Sequence, residues 1–216
     1  MDKINQRGRS MIEMLGVLAI VGILSVSAIA GFQKAMIKHK TNKIFDEITT
    51  ITANIQTAFA NQRNYEELGN YNCNELVSLG IVSAAMCDAT NHIKNAFGGE
   101  ISLLEACSNA DYNNCIYSAY SLHITGIPKQ ACIELATNNW QSSFEAIQIG
   151  HSIQITTIAL NLSDCLATET TPDAPSKGYL WACKNHNQIP VSYNDAALAC
   201  DCSEANNLCE FVFTGR

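Results

Sequence analysis

From Met14 to Gln33 the chain carries no charged residue, and a single carboxylate, Glu13, stands immediately before that run. The stretch from Met14 to Phe32 is about as long as a helix needs to cross the ~30 Å hydrocarbon core of a bilayer. A helix that is apolar all round needs lipid, or the interior of an assembly, to cover it. The carboxylate at its start is costly in either setting, so it points to a task and to a partner.

A short leader with Lys3 and Arg7 precedes Gly8-Arg9-Ser10-Met11-Ile12-Glu13-Met14-Leu15. This octet resembles the type IV prepilin cleavage signature. The resemblance implies that residues 1–8 are removed by a membrane prepilin peptidase cutting between Gly8 and Arg9. It also implies that the new N-terminus at Arg9 is methylated, and that Glu13, the fifth mature residue, directs assembly. The family usually has Phe or Met where this chain has Arg9. Two other readings exist. One is an ordinary secretory signal cleaved after the small residues Ala28-Ile29-Ala30; Glu13 would interrupt its apolar region, and the helical pattern continues past Ala30. The other is a membrane anchor that is never processed. The mature N-terminus separates the three: Arg9, Gly31 or Met1.

Lysines and arginines flank the apolar run on both sides (Lys3, Arg7 and Arg9 before it; Lys34, Lys38, Lys40 and Lys43 after it). Charge asymmetry therefore does not orient the segment. The cysteines do. All ten lie from Cys73 onward, and an even number in a non-cytosolic context reads as disulfides formed in an oxidising compartment. The C-terminal part accordingly belongs in the periplasm or outside the cell. Sequence neighbours suggest Cys73 with Cys87 and Cys107 with Cys115. The other candidates are Cys132, Cys165, Cys183, Cys200, Cys202 and Cys209.

A helical pattern runs from Arg9 to about Gln62, about 80 Å at 1.5 Å per residue. In its second half Ile37, Ile44, Ile48, Ile51, Ile55 and Phe59 recur at three- and four-residue steps or their sums, with polar residues between them. That half is amphipathic and suited to backing a globular head. Beyond it, Glu75–Leu79 reads as a short helix ended by Gly80. Residues 91–100 form a loop with Gly98-Gly99. Ile101–Leu104 and Ser118–Ile127 are strands, and Pro128 opens a helix at its first position. Phe144–Ile149 and Ile153–Leu160 form a hairpin through Gly150 and His151, residues 172–178 an exposed loop, and Leu208–Thr214 a closing strand. The expected fold class is α+β: a leader (1–8), a long N-terminal helix (9–62, with 14–32 spanning the membrane) and a small, disulfide-rich antiparallel-sheet head (63–216).

Two head segments extend the resemblance to the type IVb pilins: Asn95-Ala96-Phe97-Gly98-Gly99-Glu100-Ile101 and Ile127-Pro128-Lys129-Gln130-Ala131-Cys132-Ile133-Glu134-Leu135. In that subgroup the cysteine of this helix bonds to one near the C-terminus. Cys132 matches the first position, and Cys200, Cys202 or Cys209 its partner, with Cys202 or Cys200 preferred. The other cysteines exceed the subgroup's usual pattern. The resemblance implies a structural subunit that starts in the bacterial inner membrane and meets the prepilin peptidase and an assembly platform. It then packs with copies of itself in an extracellular filament. The alternatives are a pseudopilin of a type II secretion system and a secreted disulfide-rich binding protein.

Other chemistry finds little support in the residues. His92, His123, His151 and His186 are scattered with no nucleophile elbow nearby, and Gly98-Gly99 is too short to cradle a phosphate. Cys183, His186, Cys200 and Cys202 fit no zinc spacing. No catalytic residue, metal or cofactor is expected. The formal charge of −7 argues against a nucleic-acid surface.

Overall fold

A computed structural model describes residues 6–62, 64–107, 116–151, 153, 165, 175–203 and 208–216, with side chains from residue 11 onward. Two compact units emerge, residues 1–39 and residues 40–216. Helix α1 (Gln6–Ala58) contributes to both.

In the second unit, α1 buries Ile44, Ile48, Ile51, Ile55 and Phe59 of the stripe that the three- and four-residue spacing marks out, whereas Ile37, the stripe's first residue, is only half-buried. Each of these side chains gains about 2 kcal/mol from leaving water. Thr49, on the polar face, turns its hydroxyl back to the Phe45 carbonyl at 2.9 Å.

The stripe shares one core with a six-stranded sheet, all of whose neighbours are antiparallel. Its strands are β1 (Ile93–Lys94), β2 (Glu100–Ala106), β3 (Ala119–Pro128), β4 (Ala146–Gly150), β5 (Leu180–Cys183) and β6 (Leu208–Gly215). They lie in the order β1-β2-β3-β6-β4-β5. The period of two sorts the side chains by face. Tyr120, Leu122, Ile124, Ile147, Ile149, Phe211 and Phe213 join the main core. Ala106, Ala119, Ala146 and Cys183 line a second, smaller one. Trp140, Phe144, Phe211 and Phe213 form an aromatic cluster with ring centroids 5.0–5.7 Å apart. The Trp140 indole N–H donates to the Leu135 carbonyl at 2.7 Å, so its polar atom is not stranded.

Several expectations need correction. Strand β4 is flanked by β6 and β5, which leaves it no free edge for a hairpin with residues 153–160; of those, 154–160 lie outside the described residues. The helix expected at Glu75–Leu79 is α2 (Cys73–Ser78). It starts two residues earlier because Asn72 and Glu75 form a capping box: the Asn72 side chain accepts from the Glu75 amide, and the Glu75 carboxylate accepts from the Asn72 amide. Pro128 ends β3 and caps α3 (Lys129–Ala136) without entering its first turn. The sequence reading also missed β1, β5 and the helix α4 (Tyr193–Ala199).

The loop motif at 95–99 has a physical basis. Asn95 accepts from the amides of Phe97 (2.8 Å) and Gly99 (3.2 Å) and donates to the Thr125 carbonyl (2.8 Å). Gly98 sits at φ 88°, where only glycine is unstrained. Gly99 passes so close to β3 that an added Cβ would lie 1.9 Å from the Thr125 carbonyl oxygen. Lys40 lies over the Phe97 ring, 5.6 Å from its centroid. Space around Gly98 is open, so Gly98→Ala is expected to cost about 1 kcal/mol through backbone strain alone. Gly99→Ala is expected to cost about 3 kcal/mol because backbone must move. Thermal melts of the two variants test this order, and equal losses would contradict it.

Candidate assembly segment and stapled head

In the first unit every large apolar side chain from Met11 to Phe32 is exposed, from 51% at Val21 to 73% at Ile12. Helix α1 is long and apolar enough to cross a membrane, and its most apolar 18-residue window is 0% buried. The uncovered apolar area is on the order of 1,000 Å², against roughly 300–600 Å² for the largest patch on an ordinary soluble monomer. At about 25 cal/mol per Å², covering it gains on the order of 25 kcal/mol. A carboxylate costs about 3 kcal/mol on insertion scales, so apolar burial wins over Glu13 by a wide margin.

The segment's hydroxyls suit a dry environment. Ser25 donates to the Val21 carbonyl at 2.8 Å and Ser27 to the Ile23 carbonyl at 3.0 Å. Each is satisfied within its own helix, so neither needs water. Glu13 lies exposed on α1. Gly8 and Arg9 lie in the same helix by their backbone.

In the second unit the cysteines staple the head. Cys73 of α2 bonds to Cys87. Cys132 of α3 bonds to Cys200, the residue that ends α4. That pair is one of the three that the resemblance leaves open. Cys202, the other preferred partner, bonds instead to Cys209 of β6, seven residues away. Cys165 bonds to Cys183 of β5, a pair for which the sequence offered no signal. Cys107 is disulfide-bonded; the proposed partner Cys115 lies outside the described residues. The cysteines weighed above as zinc ligands, Cys183, Cys200 and Cys202, are all held in disulfides.

A buried charge that the sequence reading passed over is Glu47 on α1. It is 8% exposed, its Oε1 lies 3.8 Å from the Lys43 ammonium, and its Oε2 accepts no hydrogen bond among the described residues. Burial pushes its pKa above the ordinary 4.5, and the nearby Lys43 charge and Ala96 amide offset only part of that. The folded state therefore holds this proton more tightly than the unfolded chain does. Glu47 costs no charge burial below pH 4.5 and a growing amount as pH rises toward its folded value. Glu47→Gln is expected to raise the melting temperature at pH 7 and to leave it unchanged near pH 4. A gain of equal size at both values would contradict the assignment.

Comparison with known proteins adds the family. The sequence profile of bundlin matches residues 33–184. The chain belongs to the bundlin family. That places it among the type IV pilins of the IVb subgroup. Two relatives are the major structural subunits of the bundle-forming pilus of Escherichia coli O111:H- and of Escherichia coli O127:H6. Each is 27% identical over 186 residues, covering 86% of this chain and 91% of the relative. The toxin coregulated pilin of Vibrio cholerae serotype O1 is 25% identical over 141 residues, covering 63% of this chain and 59% of that protein. In fold, this bundlin-family chain resembles the crystal structure of TcpA, a type IV pilin of Vibrio cholerae El Tor biotype. The TM-score is 0.51 at 16% identity, with 82% of this chain and 99% of that chain covered. The long helix on a disulfide-bonded antiparallel sheet is the type IV pilin fold.

Proposed function

We propose that this chain is a structural subunit of a type IV pilus-like filament, made as a precursor and assembled through its N-terminal helix. Residues 14–32 hold the precursor in the inner membrane with the head outside. A prepilin peptidase removes residues 1–8, and an assembly platform passes the mature subunit into an extracellular filament. The observation that carries this reading is the uncovered apolar face from Met11 to Phe32 with one carboxylate at its start. Lipid covers such a face before assembly, and the same face of neighbouring copies covers it afterwards.

In the packed bundle Glu13 faces the N-terminal amine of a neighbouring subunit. A buried carboxylate without a cation is costly, and pairing recovers much of that cost. Subunits out of register leave the charge unmatched, so the pair selects the stagger. Close helix packing and apolar burial supply most of the holding energy. Arg9, one turn before Glu13 on the same helix, brings a second cation to the site. The relatives' role as major structural subunits supports this reading over a pseudopilin or a secreted binding protein.

Immunogold electron microscopy with antibodies to the head tests it. Expected are filaments labelled along their length. Head protein found only in the membrane, or only as soluble monomer, would contradict the proposal.

A further inference from the structure

Two of the disulfides lie almost in contact. The Sγ atoms of Cys132, Cys200 and Cys209 all fall within 4.8 Å of one another. Two of these sulfurs are bonded to each other, and the third belongs to the neighbouring Cys202–Cys209 bridge. The Cys209 Sγ also lies 3.6 Å from the Cys200 carbonyl oxygen. All three residues are fully buried. Cys202, bonded to Cys209, places its Sγ 3.8 Å from the carbonyl oxygens of Gly150 and Ala199.

We propose that Cys132, Cys200 and Cys209 form a thiol–disulfide exchange triad, and that the short Cys202–Cys209 bridge locks the long Cys132–Cys200 one by withdrawing the Cys209 nucleophile that lies within 4.8 Å of both its sulfurs. While Cys209 is a thiolate, its Sγ attacks the Cys200 Sγ. A Cys200–Cys209 bond forms as the Cys132–Cys200 bond breaks, and the electron pair leaves on Cys132, which takes up a proton. No net oxidation occurs, and the step reverses by the same path. Closing Cys202–Cys209 requires an external disulfide oxidant, which leaves as two thiols. It withdraws Cys209 from exchange and traps Cys132–Cys200. The bridge spanning 7 residues restricts the unfolded chain much less than the one spanning 68. Its larger role on this reading is to hold the longer pairing. The oxidant acts before the head packs over Cys202 and Cys209; once all four sulfurs are buried, exchange is intramolecular.

Cys202→Ser in the full chain, purified in detergent, leaves Cys209 as a thiol beside the intact long disulfide. Acid-quenched protein is labelled with maleimide and cleaved before Asp201, which separates Cys200 from position 202. The label is expected on Cys132 or Cys200, as well as on Cys209, in about a tenth of molecules or more. Cys209→Ser leaves Cys202 free instead, and label is expected on Cys202 alone. Exclusive labelling of Cys209 in the first variant, or equal scrambling in both, would overturn the triad. If the first variant does not fold, oxidative refolding of the wild-type chain with acid trapping decides. A Cys200–Cys209 intermediate that precedes the final pairing supports the triad, and its absence overturns it.

Discussion

Exchange of Glu13 for Gln or Ala is expected to lower filament yield at least about tenfold while leaving the melting temperature of the head unchanged. On the proposed pairing, either substitution strips the neighbouring N-terminal cation of its partner in a dry bundle. Removing one member of a buried pair costs about 3–5 kcal/mol, and 1.4 kcal/mol already corresponds to a factor of ten. If each added subunit must satisfy the proposed pair, the penalty recurs at every step. Apolar burial along Met11–Phe32 remains, so the variant is expected to accumulate in the membrane fraction. Filament yield by shearing and sedimentation, with membrane content measured in parallel, gives the answer. Normal filaments would show that Glu13 does not select the register.

The second large effect concerns the head. Replacing Cys132 and Cys200 together by Ala is expected to destabilise it by about 4 kcal/mol, from the loop-closure entropy of the 68-residue separation. The same exchange at Cys202 and Cys209, seven residues apart, is expected to cost about 2 kcal/mol. The long bridge ties α3 to the end of α4, two short helices whose buried faces share the main core. Its loss is expected to shorten the survival of the head under protease as well. Denaturant midpoints of the two double variants test the order; a larger loss at the short bridge would reverse it.

What the sequence made legible follows from the length scale of each signal. The stripe Ile44, Ile48, Ile51, Ile55 and Phe59 repeats over more than four turns, and the structure buries all five. Strands β2, β3 and β6 carry alternation long enough to read, although their ends shifted by up to two residues. Strand β1 has two residues, β5 four and α4 seven, too few for a period to show. The hairpin error at β4 has a different origin. Neighbours in sequence usually pair, but here the last strand, β6, inserts between β3 and β4. That placement depends on which edge the chain's end reaches, and no local pattern records it.

The site divides the same way. The apolar run and Glu13 are local and could be read directly. Pairing of Cys73 with Cys87 spans a short stretch around α2, so sequence neighbours sufficed. Cys202 was drawn toward Cys132 by the resemblance, whereas its bond to Cys209 depends on β6 lying beside the end of α4. Glu47 escaped notice because a charged residue on an amphipathic helix ordinarily faces water, and its burial depends on what packs over that turn.

The N-terminus of the subunit in native filaments decides the central claim most directly. Filaments sheared from cells and analysed by intact mass and N-terminal peptide sequencing are expected to begin at Arg9, with residues 1–8 absent. A subunit that still begins at Met1, or one that begins at Gly31 with the apolar segment gone, would contradict assembly through a processed helix.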